Sequence, residues 1–187
     1  EVAGYGRFEA YSNRDSLKYR SVYGLDEVLT LYRGTIRRVG FSKAWNMFVQ
    51  LGMTDDSYVM DDSETMTYRQ FMNSFLPYHP TDSVEIKTRL ILKIDQDDIM
   101  WDKLVELDLF NPNKIVGLKE ATPAQILQKI LSDSWTLQEN DKDMIVMYHK
   151  FGYELNGVKT QIDSKMVSIG EDQTYTAMSK TVGLPVA

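Results

Sequence analysis

Near the end of the chain two strand-like runs, Met144–Leu155 and Val158–Ile169, meet at Asn156-Gly157. That dipeptide fits a type I′ turn, whose two central residues both need positive φ, so the segment is committed to an antiparallel hairpin. A turn at Gly170-Glu171-Asp172 then leads into a final helix expected over residues 173–187. Any fold assigned to this chain has to accommodate that ribbon.

The hairpin closes a chain of three textures. Residues 1–52 mix strand and helix signals. Residues 6–11 suit a strand. The polar cluster Ser12-Asn13-Arg14-Asp15-Ser16 suits a turn and helix start, because short polar side chains accept orphaned backbone N–H groups. A short helix over 17–23 is closed by Gly24, placed where a left-handed cap is cheap. Residues 28–38 (VLTLYRGTIRR) read as a strand, with Gly34 marking a bulge or the close approach of another backbone or a ligand. An amphipathic helix over 42–51 follows, with Ala44, Trp45, Phe48, Val49 and Leu51 on or near one face. Residues 53–138 carry helical periodicity and little strand signal. Helices are expected over 67–76, 83–94, 98–107 and 123–132, the last started by Thr122-Pro123. The predicted fold class is α+β, of the α/β type with a mixed sheet. Residues 1–52 and 139–187 form a discontinuous domain, interrupted by an all-helical insertion lobe over 53–138.

Composition narrows the function classes. The chain has 187 residues, enough to bury a core, with 21 Lys and Arg against 27 Asp and Glu and a net charge of −6. That balance argues against duplex nucleic acid as a partner, which would need clustered basic side chains. No run of about 18 apolar residues is available to span a membrane. Cysteine is absent, which removes disulfides, thiolate zinc sites and thiol nucleophiles. The first residue is Glu1 and the last helix has barely run its course, so the chain reads as a piece of something larger. No signal-peptide pattern opens it, and a cytoplasmic address is the expectation.

Few motifs carry chemistry. The one Gly-x-Gly, Gly4-Tyr5-Gly6, lacks a glycine three residues later, so the Rossmann fingerprint is missing. His79 and His149 lie 70 residues apart and read as structural or solvated, so no metal is expected. The acidic clusters, such as Asp95–Asp98, suit helix starts and solubility. Arginine is more suggestive: Arg14, Arg33, Arg37 and Arg38 fall within 25 residues of an acidic chain. Arg33 and Arg37, four apart, share a strand face unless Gly34 is a bulge, which would leave Thr35 and Arg37 as the same-side pair. A planar guanidinium grips a carboxylate through two charge-assisted bonds, although surface ion pairs with the abundant acids would explain the same composition.

These residues carry a resemblance. The string Tyr11-Ser12-Asn13-Arg14-Asp15-Ser16, then Tyr23-Gly24-Leu25, then Arg33-Gly34-Thr35-Ile36-Arg37 with Gly40-Phe41 resembles the substrate domain of saccharopine dehydrogenases, the glutamate-forming type in particular. Ser12 replaces a Pro and Ile36 a Leu of that pattern. Lys142-Asp143-Met144-Ile145-Val146-Met147 resembles the family's KDMIVM block, and Ala177-Met178-Ser179-Lys180-Thr181-Val182-Gly183-Leu184-Pro185 its AMAKTVGLP block.

The resemblance implies a two-domain dehydrogenase of lysine metabolism that interconverts saccharopine with L-glutamate and 2-aminoadipate 6-semialdehyde. NAD or NADP would be bound by a Rossmann domain absent from this chain. It also implies that Arg14 and Arg37 meet substrate carboxylates and that Thr35 and the Ile36 backbone help bind the same anion. Asn13 and Asp15 would hold the Arg14 loop, with Arg33 left outside the set. Saccharopine carries three carboxylates, which suits an arginine patch. No catalytic residue or cofactor contact is expected within the chain, and by itself it should be inactive. The oligomeric state is open, a homodimer included. Two rivals remain: a relative acting on a polyamine-like secondary amine of the carboxynorspermidine type, and a non-catalytic interaction or dimerisation module.

Overall fold

The computed structural model describes residues 1–13 and 15–186; Arg14 and Ala187 lie outside the described residues. The chain divides into two compact units, Gly40–Thr136 and a discontinuous unit of residues 1–39 and 137–187.

The unit Gly40–Thr136 is helical: α1 (Phe41–Leu51), α2 (Tyr68–Ser74), α3 (Val84–Leu92), α4 (Ile99–Glu106) and α5 (Pro123–Trp135). Capping explains where they begin. Thr67 and Thr122 each accept a backbone N–H with their hydroxyl, while Gln70 and Gln125 return the bond, completing two capping boxes. Ser83 and Asp98 cap α3 and α4 with single side-chain bonds. Residues three and four apart then turn one stripe inward, and Phe71, Met72, Leu104, Ile126 and Ile130 are almost fully buried in one core. Arg69 binds Glu85 with both nitrogens, at 2.5 and 2.9 Å, and also donates to the Phe110 carbonyl, tying α2 to α3.

The lobe's borders differ from the sequence expectation of 53 and 138. Met47, Phe48 and Leu51 of α1 are buried in the helical core and α1 packs on α4, where Lys43 Nζ lies 3.4 Å from Asp98. An amphipathic helix goes where its apolar stripe is covered, and the helices offer that cover.

The second unit is built from two antiparallel ribbons. β1 (Phe8–Ser12) pairs with β2 (Gly34–Arg38) in the register Phe8↔Arg38 to Ser12↔Gly34. β3 (Met144–Leu155) pairs with β4 (Val158–Ile169) over twelve residues, and Asn156 and Gly157 have φ of 53° and 78°, as a type I′ turn requires. Side chains alternate across the long ribbon. One side carries Met147 opposite Met166, Phe151 opposite Ile162 and Leu155 opposite Val158; the other carries Lys150 opposite Asp163 and Glu154 opposite Lys159. Most of both sides is exposed, Phe151 at 53%.

A short helix α6 (Ala177–Gly183) docks at the ribbon's base. Asp143, just before β3, accepts the N–H groups of Ala177 (2.6 Å) and Met178 (2.9 Å). Gly170, just after β4, has no room for a side chain, since a Cβ would sit 2.9 Å from the Ala177 nitrogen and closer still to Asp143.

The strand expected over 28–38 begins only at Gly34. Residues 28–32 have apolar and β-branched character but no strand paired beside them among the described residues, and Leu29 is fully exposed; only Arg33, whose carbonyl accepts the Asn13 N–H, adds one further bond. Propensity without a hydrogen-bonding neighbour does not make a strand. The register across Gly34 is regular, so Gly34 is no bulge. It marks a close approach instead: a Cβ there would lie 3.0 Å from the Tyr11 carbonyl oxygen and 2.9 Å from the Tyr32 ring.

Candidate functional site

The β1–β2 register separates residues that are adjacent in sequence. Thr35 stands opposite Tyr11 and Arg37 opposite Glu9, so these four share one face; Ile36 stands opposite Ala10 and shares the other face with Phe8 and Arg38. Thr35 is half-buried and Arg37 exposed, with an Arg37 Nη donating to the Ile36 carbonyl at 3.0 Å. Ile36 lines a cleft of about 250 Å³ together with Phe8, Ala10, Val146, Tyr148 and Lys165. Thr35 and Arg37 are therefore brought together, while the Ile36 side chain points away from them. The backbone of Ile36 is its remaining route to a shared ligand.

The other arginines are engaged elsewhere. Arg38 donates to the Tyr5 carbonyl at 2.5 Å and lies over the Phe8 ring. Arg33 precedes β2, and its guanidinium lies 3.9 Å from the centroid of the Tyr19 ring. Arg14 lies outside the described residues; the residues on either side of it make specific bonds. Asn13 donates its N–H to the Arg33 carbonyl at 3.0 Å, and Asp15 accepts the Leu17 N–H at 3.0 Å, starting the 3₁₀ turn Leu17–Tyr19.

Strongly perturbed titrations fall in the helical unit and have structural causes. The bonds from Arg69 draw the Glu85 carboxyl down to about 2, against an opposing push from burial. Burial raises the Tyr68 phenol, whose O–H donates to Asp133 at 2.8 Å; Lys129 and Tyr68 in turn lower Asp133. A cavity of about 540 Å³ in that unit, lined by Trp45, Leu127, Leu131 and Trp135 among others, has no titratable residue in its walls. These are packing features. His79 pairs with Asp82 at 3.2 Å within a turn and His149 stacks on Phe151, and among the described residues no three acidic or imidazole groups converge as metal ligands.

Gly4-Tyr5-Gly6 forms a tight turn whose Tyr5 and Gly6 N–H groups are both spent on the Val2 carbonyl, with no helix behind it to receive a pyrophosphate. Sequence reasoning overlooked the task of Asp143. Its place in the Lys142–Met147 block was visible, but nothing in the spacing announces that it caps a helix 34 residues on.

The chain is thus an α+β fold with a helical unit between its two ribbon segments, carrying Thr35 and Arg37 together on one face of a strand. The chain belongs to the saccharopine dehydrogenase C-terminal domain family, whose model matches residues 2–187. It is 31% identical over 186 residues to the mitochondrial alpha-aminoadipic semialdehyde synthase of Rattus norvegicus, covering 96% of this chain and 20% of that protein. It is 30% identical over 190 residues to the saccharopine dehydrogenase [NADP(+), L-glutamate-forming] of Saccharomyces cerevisiae, covering 96% of this chain and 41% of that one. The solved apo structure of the L-Glu-forming saccharopine dehydrogenase from Saccharomyces cerevisiae superposes with a TM-score of 0.82 at 27% identity, covering the whole of this chain and 42% of that one. The chain thus spans between a fifth and two-fifths of the length of these relatives.

Proposed function

We propose that this chain is the substrate-binding part of an oxidoreductase that interconverts saccharopine with L-glutamate and 2-aminoadipate 6-semialdehyde in lysine metabolism. The observation that carries the reading is the family match over residues 2–187, within which the Arg-Gly-Thr-Ile-Arg segment supplies a strand with Thr35 and Arg37 on one face. Arg14 and Arg37 bind substrate carboxylates, Thr35 and the Ile36 main chain hydrogen-bond the same anion, and Asn13 and Asp15 hold the turn around Arg14. The nicotinamide nucleotide, NAD or NADP, is bound by residues outside this chain, so the 187 residues alone neither turn over nor bind it. A cytoplasmic address and a homodimer belong to the same proposal and are checked by fractionation and by sedimentation of the full-length protein. No structural observation favours the polyamine or the non-catalytic reading.

The test is kinetic. In the full-length protein, Arg14→Ala and Arg37→Ala should each raise the KM for saccharopine by the equivalent of about 2–4 kcal/mol, leaving the nicotinamide KM close to wild type. Arg14→Lys restores only part, because an ammonium cannot reproduce the two-pronged grip. Equal loss for both ligands would make these residues supports of the fold instead. Calorimetry showing tight nucleotide binding to the 187-residue chain would contradict the division of labour.

A further inference from the structure

Arg33 has no part in the ligand set, yet several ties converge on it. Its carbonyl accepts the Asn13 N–H at 3.0 Å and its own N–H donates to Ser16 Oγ at 2.9 Å, so one residue is tied to both Asn13 and Ser16. Its guanidinium lies over Tyr19, which stacks in turn on Tyr23 with ring centroids 5.8 Å apart. The next residue is Gly34, where β1 and β2 approach so closely that a Cβ would meet the Tyr11 carbonyl.

We infer that Arg33 is a positioning residue: stacked on Tyr19 and bonded to Asn13 and Ser16, it fixes where β2 begins and so where Thr35 and Arg37 are presented. The inference rests on the reading of Thr35 and Arg37 as substrate contacts. The physical argument is one of closure. Sixteen residues lie between Ser16 and Arg33, most of them exposed and outside any strand, and a loop of that length keeps its ends together only through specific bonds. β2 is only five residues long and among the described residues pairs with β1 alone, so its start has no second strand to hold it. The stack and the two main-chain bonds supply that restraint. An arginine is suited to it because the long stem reaches the ring while the plane of the guanidinium lies flat on it.

The experiment compares Arg33→Met, Tyr19→Leu, Tyr19→Phe and Arg37→Ala in the full-length protein, measuring both KM values, kcat and the thermal midpoint. Arg33→Met and Tyr19→Leu should raise the saccharopine KM roughly five- to tenfold, whereas Tyr19→Phe, which keeps the ring face, should stay within about twofold. kcat and the nicotinamide KM should hardly move, since the restraint acts on ligand placement and not on the chemical step. Ser16→Ala repeats the test through the main-chain bond should Tyr19→Leu not fold. A saccharopine KM that rises with Arg37→Ala but stays at wild type in Arg33→Met and Tyr19→Leu would overturn the inference alone. So would a rise matched by the nicotinamide KM. A KM indifferent to Arg37→Ala would overturn the substrate reading and this inference with it.

Discussion

The two units of the molecule are stabilised in opposite ways. The helical unit buries an apolar core in which Tyr68, Phe71, Met72 and Leu104 have no solvent exposure. Among the described residues of the ribbon unit, the buried apolar side chains are Val2 and Ala177. The lobe coheres through burial, which is non-directional and strong; the ribbons cohere through ladders and a few placed polar bonds, which are directional and individually weak. The candidate ligand residues sit on the second kind of scaffold. Binding surfaces drawn from less stable parts of a fold are common, because ligand contacts then contribute to the order they require.

The contrast can be broken by mutation. The largest effect is expected from Leu104→Ala, which removes a wholly buried side chain and should cost about 2–5 kcal/mol, read as a fall in the denaturation midpoint followed by helical circular dichroism. Next comes Asp143→Ala in the ribbon unit, which leaves two helix-terminal N–H groups without their acceptor and should cost about 1–3 kcal/mol. Its signature is faster hydrogen exchange at Ala177 and Met178. An effect of Asp143→Ala equal to that of Leu104→Ala would mean that the ribbon unit is not the polar-bonded structure described.

Acid sharpens the comparison further. Glu85 has its carboxyl lowered from 4.5 to about 2 by Arg69, so the pair's contribution is fully present above pH 4.5 and is lost as pH falls toward 2. Glu85→Gln should flatten that part of the pH profile for the helical unit and leave ribbon amides unchanged in exchange measurements. Smaller again, Gly157→Ala forces a side chain onto a φ of 78° and should cost about 1 kcal/mol, seen as faster exchange near the tip of β3 and β4. Phe151→Ala should cost least, only about half a kcal/mol in the isolated chain, because its ring is 53% exposed there.

Much of the fold was legible in the sequence because the signals were local. Asn156-Gly157 fixed the hairpin, whose strand limits fall where the runs of residues place them. Thr122-Pro123 marked the start of α5, which runs on to Trp135 rather than stopping at 132. What escaped was decided at long range. Residues 28–32 look like a strand but lack a partner among the described residues, and α1 joins the lobe because its stripe is covered there. At the candidate site the string Arg33 to Arg37 was visible as a block, but its division between two faces, and the stacking of Arg33 on Tyr19, depend on a register and a loop closure that no local pattern encodes.

The strict alternation of the β3–β4 ribbon constrains how such a chain can change length. Inserting one residue in either arm would turn every side chain beyond it to the opposite surface, placing Lys150 or Asp163 where Phe151 and Ile162 now stand. Point changes along the arms keep the two surfaces distinct, whereas single insertions and deletions are tolerable only at the tip, where Asn156 and Gly157 already interrupt the pairing.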